Sequence, residues 1–165
     1  MIKGQDIVVL LALMRAKKDF PYIELANKAQ LSVSEAHAAI KRLQDASLVN
    51  AERHLVRRNV EEFLIHALKY TFPLQMSGGW SVGMPTAYSS PIAKSEFVST
   101  GRAQVWCGSE GEVSGIGIVP IYPSAPCAAK CNQDMYDKLA LIDMLRGGRL
   151  RERNYASSKL MEMMR

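Results

Sequence analysis

Ser32, Val33, Ser34, His37, Ala38 and Lys41, with Arg42 at the margin, are the positions of residues 32–42 that face outward once the apolar residues of that stretch are turned inward. Hydroxyl, imidazole and ammonium groups can bond base edges or phosphates, while Val33 and Ala38 leave room for close approach and for a thymine methyl. Ser34 and His37 suit base reading, and a neutral imidazole can both donate and accept. Lys41 and Arg42, joined by Arg57 and Arg58, suit phosphate contacts that give affinity and salt dependence but carry no sequence choice. Arg53 and His54 lie close enough in sequence to touch phosphates as well.

Presenting such a face takes a helix held against a second one. In PYIELANKAQLSVSEAHAAIKRLQDASLV (21–49), Ile23, Leu25, Ala26 and Ala29 fit one short helix. Leu31 fills the corner, and Ala36, Ala39, Ile40 and Leu43 fit the next helix. Ser32 is its expected N-cap, and Glu35 three residues later completes a capping box. Ala26 matches the small residue that lets two such helices cross closely, and IKRLQDASLV runs out of the second helix into a strand. On these residues the stretch resembles the winged helix-turn-helix of bacterial regulators of the broad MarR-like class, over about residues 1–60. The resemblance implies double-stranded DNA as partner, a helix in the major groove and a homodimer joined through its terminal helices. The chain departs from that pattern after Val49, because NAERHLVRRNVEEF confines any wing to Asn50–Val56 with a very short return strand.

Residues 2–17 read as a first helix with Ile7, Leu10, Leu11 and Met14 on one stripe, widened by Val8, Val9 and Leu13. So wide a stripe needs more than one covering surface: the helix pair on one side, and a second subunit or the C-terminal helix on the other. Asn59 and Glu62 predict another capped helix to about Tyr70, with Phe63, Leu64, Ala67 and Leu68 inward, and Pro73 stops it. Residues 71–130 are rich in turn residues. AQVWC (103–107) and VSGIGIV (113–119), separated by GSEGE, predict a hairpin with Gly111, Gly115 and Gly117 as its bends. Asn132 or Asp134 caps a helix to about Leu145 with Leu139, Ile142 and Leu145 inward. RGGR then breaks it before a last helix, 150–164, anchored by Leu150, Leu160, Met161 and Met164. The expected fold is mainly α with a small β component: a winged helix-turn-helix domain (1–70), a proline- and glycine-rich segment with a β-hairpin (71–130), and C-terminal helices suited to dimerisation (131–165).

The net charge of +5 is unevenly spread. Residues 1–60 carry ten Lys and Arg against six Asp and Glu, residues 61–128 three against five, and residues 129–165 eight against five, so an anionic partner would meet the ends of the chain. RGGRLRER (146–153) reads either as a second phosphate contact or as a solvated basic face. Cys107, Cys127 and Cys131 are an odd set of thiols without a secretory leader, and Ile7–Met14 is too short to span a bilayer, so the expected location is cytoplasmic with no membrane partner. A zinc site would need Cys107 and one of His37, His54 or His66 to join Cys127 and Cys131, and packed thiols are the simpler reading. No catalytic grouping and no cofactor motif is visible, so neither enzyme, metal nor cofactor is expected. A second reading is an antitoxin-like protein-interaction module whose 71–165 region, with Trp80, Trp106, Tyr122 and several Met, holds a partner protein from a neighbouring gene.

Overall fold

The computed structural model describes residues 1–16, 19–97 and 101–165. Helix α1 (Gly4–Leu13) lies at the centre: Ile7, Val8, Val9, Leu10, Leu11, Ala12 and Met14 have no accessible surface. The wide apolar stripe is therefore covered by other parts of the same chain. The helix is shorter than the 2–17 expectation, and Lys17 lies outside the described residues. Its end has a physical cause. The ammonium of the fully buried Lys138 donates to the carbonyls of Leu11 and Met14 at 3.2 and 3.1 Å, so a cation takes these carbonyls in place of another helical turn. At the other end Asp6 accepts the Lys3 backbone amide at 2.8 Å.

Helices α2 (Tyr22–Ala29) and α3 (Val33–Asp45) pack on α1. Gln30 takes a left-handed conformation (φ 53°) that ends α2, and the Leu31 amide reaches back to the Ala26 carbonyl at 2.9 Å. After α3 a single antiparallel bridge joins Val49 and Leu55 around the 50–54 turn. A helical rod follows: α4 (Arg57–Glu62), a π-helical turn (Phe63–Ala67) and α5 (Leu68–Thr71), with Val60, Leu64 and Leu68 inward. Asn59 does not cap it. The rod already starts at Arg57, and the Asn59 amide donates to the Ser47 carbonyl at 2.7 Å, tying the rod to the end of α3.

Strands β1 (Met76–Gly83), β2 (Gln104–Trp106) and β3 (Val113–Ile118) form one sheet in the order β1-β3-β2. The expected hairpin is not formed: β2 and β3 pair in parallel, and the antiparallel partner of β3 is β1. Because β2 is only three residues long, the 107–112 loop suffices to carry the chain back to the same end of the sheet. Ser109 pins that loop, its hydroxyl donating to the Trp106 carbonyl at 2.6 Å and accepting the Met84 amide at 2.8 Å. Gly115 and Gly117 are strand positions and not bends. A side chain at Gly115 would run into the Ala103 carbonyl, and one at Gly117 into the Ser77 hydroxyl.

Helices α6 (Ala125–Cys131), α7 (Gln133–Gly147) and α8 (Leu150–Met163) complete the chain. Asn132 caps α7 through the Met135 amide at 3.1 Å, and Leu139, Ile142 and Leu145 are inward as expected. Asp143 on α7 is the anchor of the sheet region. Its carboxylate accepts the Thr86 hydroxyl and the Trp106 indole, each at 2.7 Å, and Arg146 at 2.7 Å. Arg146 also donates to the Phe72 carbonyl at 2.9 Å, which fixes the turn after α5. Burial pushes the Asp143 carboxyl up, and the Arg146 charge and the three donors oppose it. Leu160 and Ala156 of α8 and Met164 just after it are inward and Met161 is half-buried, but Leu150 is 66% exposed: at the first helical position after the Gly147–Gly148 break it has no facing element to cover it. The molecule is thus mixed α/β, mainly helical with a small sheet, and one apolar cluster takes residues from Ile7 through Ala39 and Trp106 to Met164. Among the described residues no helix is long and apolar enough to cross a membrane.

Candidate nucleic-acid interface

Helix α3 separates its residues sharply. Ala36, Ala39, Ile40 and Leu43 are at most 1% exposed, whereas Ser32, Val33, Ser34, His37, Ala38 and Lys41 are all exposed. The start of the helix is fixed locally. The Ser32 hydroxyl accepts the Glu35 amide at 3.2 Å, and Glu35 returns to the Ser32 amide at 2.8 Å. Those bonds from Ser32 hold the Glu35 carboxyl below the usual range. The first helix of the pair buries Leu25, Ala26 and Ala29, but Ile23 is 55% exposed, because at the second position of α2 it faces away from α1 and α3.

Arg42 is not available to a phosphate. Its guanidinium makes a bidentate pair with Asp6, 2.8 Å from Nε to one carboxylate oxygen and 2.6 Å from Nη2 to the other. Asp6 is fully buried, and its bond to Arg42 holds the guanidinium even more firmly protonated than usual. Swinging Arg42 outward would strand a buried carboxylate, a loss of about 3–5 kcal/mol that a solvent-exposed phosphate contact does not offset. Lys41, the preceding residue, points the other way and is exposed.

His37 stacks on Tyr22, with ring centroids 3.4 Å apart and planes 18° from parallel. The Arg53 guanidinium lies 4.7 Å from the same tyrosine ring and donates to the Phe20 carbonyl at 2.9 Å. The structure therefore brings His37 and Arg53 together through Tyr22, which sequence reasoning did not single out. Its signal is visible afterwards: an aromatic residue at the first position of the first helix, on the side where the second helix begins. His54, Arg57 and Arg58 are exposed beside the bridge. The Arg57 guanidinium reaches the Arg165 carbonyl at 3.4 Å. Of the basic RGGRLRER segment, Arg146 is 8% exposed and bound within the fold, so it faces no phosphate.

The thiols do not converge on a metal: among the described residues no group of three or more His, Cys, Asp or Glu side chains could hold one. Cys127 and Cys131 are exposed on α6, and the simple packed-thiol expectation holds only for the half-buried Cys107. Cys127 instead donates to the Gln30 side-chain carbonyl at 3.3 Å, joining α6 to the corner between α2 and α3, and the slight desolvation of its sulfur, with Cys131 alongside, pushes its thiol up. His66 is exposed on the π-helical turn. No family model matches the chain, and no curated protein or solved structure is significantly similar to it.

Proposed function

We propose that the protein is a sequence-specific DNA-binding transcriptional regulator of winged helix-turn-helix type that enters the major groove with α3. One observation carries this reading: Ser34, His37, Ala38 and Lys41 on α3 are exposed together, while Ala36, Ala39, Ile40 and Leu43 of the same helix are buried. Ser34 and His37 read base edges, Val33 and Ala38 allow approach, and Lys41, His54, Arg57 and Arg58 meet phosphates. The bridge at Val49–Leu55 stands where a wing belongs and is very short, so specificity rests on α3. A homodimer would set two such helices roughly 34 Å apart on successive major grooves. Since α1 has no apolar surface left to share, that pairing has to use another surface. Enrichment of genomic fragments on the purified protein tests the reading. The wild type should select a common site, and Lys41→Ala with Arg58→Ala should lower the slope of log affinity against log salt by about two. Binding without any selected site, or a slope that does not change, would falsify it.

A second reading has its own observation. Met76, Trp80 and Val82 on the edge strand β1 are 54–58% exposed, a surface suited to holding a partner protein rather than to nucleic acid. Co-purification of a neighbouring gene's product, abolished by Trp80→Ser but not by Lys41→Ala, would favour it over the first.

A further inference from the structure

A cleft of about 350 Å³ opens between the end of α1, the 52–57 segment and the last residues after α8. Arg15, Arg53, Arg57 and Arg165 line it, against the acidic side chains of Asp19 and Glu52. Its cationic excess calls for an anion. Leu13, Phe20 and Met164 add apolar wall, which a bare inorganic ion would not use.

Two further features belong to the cleft, the first of which Gln30, Ser47 and Ala87 share elsewhere in the chain. Arg15, Asp19 and Arg53 all hold left-handed backbone conformations, with φ of 63°, 62° and 64°. Such conformations cost non-glycine residues free energy and gather where a loop is shaped for a task. Arg53 also faces two ways. It lines the cleft, and the same guanidinium lies against Tyr22, whose other contact is the stacked His37 on α3. An anion that draws Arg53 into the cleft weakens its hold on Tyr22, and the His37 ring loses a supported neighbour.

We propose that this cleft binds a small phosphorylated organic molecule, and that its occupancy is transmitted to α3 through Arg53 and Tyr22. The regulatory meaning rests on the reading of α3 as the DNA-binding helix; the binding itself does not. The shared chemistry is phosphate, which DNA also carries, so the test separates the two sources. The full chain is titrated with inorganic pyrophosphate by calorimetry, and the His37 ring resonances are followed by NMR, with no DNA present. Saturable binding is expected with Kd below about 1 mM. It should weaken about tenfold in Arg15→Ala and, separately, in Arg57→Ala, each checked for native circular dichroism, and stay unchanged in Lys41→Ala. The His37 resonances should move on saturation in the wild type and stay still in Arg53→Gln. Absence of saturation, equal weakening by Lys41→Ala, or a His37 ring that does not respond overturns the proposal. A wild type that binds pyrophosphate but selects no DNA site overturns the regulator reading and leaves the cleft standing. One that selects a DNA site but ignores pyrophosphate does the reverse.

Discussion

The helix pair at 22–45 and the sheet at 76–118 are built by opposite means. In the helix pair the deciding contacts are short in sequence: Ser32 with Glu35, Leu31 with Ala26, and an apolar set that repeats with the helical period. In the sheet they are long. Thr86 and Trp106 are fixed by Asp143, 57 and 37 residues away, and Tyr136 donates to the Pro85 carbonyl across 51 residues. The first region takes its caps and helical period from neighbouring residues and adds a few distant ties, such as Lys28 to Asp134, whereas the second is anchored mainly by α7. The difference predicts where single substitutions hurt most.

The largest effect belongs to the sheet's remote anchor. Asp143→Ala leaves Arg146, Thr86 and Trp106 without their shared acceptor in the interior, and should destabilise the fold by about 4 kcal/mol in urea unfolding. If the loss stays under about 1 kcal/mol, the sheet is held by something other than α7 and the contrast fails. The next effect tests a long-range contact of the helix pair. Arg42→Ala should cost about 3 kcal/mol by leaving Asp6 buried and unpaired, while Lys41→Ala, one residue away, should stay within about 0.5 kcal/mol. Comparable losses at both positions would mean that Arg42 is as solvated as its neighbour. The smallest effect is local. Ser32→Ala removes the cap of α3 and should cost about 1 kcal/mol, read as a lower melting temperature with the rest of the fold intact.

The same cap sets a pH dependence. The Glu35 carboxyl is held below its ordinary value in the folded chain by its bonds to Ser32, so the folded state binds this proton less readily than the unfolded state. Its stabilisation is therefore full above the ordinary glutamate range and is lost as pH falls through the depressed folded value. Glu35→Gln should flatten that acidic limb of the stability curve. Amide exchange at the start of α3 reads it directly, and an unchanged limb would mean that the capping box is open in solution.

The same contrast explains what the amino-acid sequence disclosed. The buried positions of α3 were legible because a helix repeats its burial within one turn, and so were the caps at Ser32 and Asn132, which act over three residues. The sequence does not reveal the pairing of Arg42, because its partner lies 36 residues upstream and nothing in IKRLQ distinguishes a guanidinium that turns back from one that faces out. The pairing of β2 with β3 failed for the same reason. Two short apolar segments joined by a glycine-containing turn read as a hairpin, and only the competing strand 76–83 makes the parallel arrangement possible. Of the candidate interface, the outward residues of α3 were readable, and the Arg53–Tyr22–His37 contact was not, since three separate segments meet there.

The lysine buried on α7 has a consequence for how the chain is made. Its ammonium seals the end of α1 from 127 residues downstream of the Leu11 carbonyl, and Asp134 at 2.6 Å is its counter-charge. During synthesis α1 is therefore made well before the groups that close its end, since Lys138 and Asp134 follow it by more than a hundred residues. Helices α2 and α3 can cover α1 as soon as they are made, but the carbonyls of Leu11 and Met14 gain their cation only when α7 arrives.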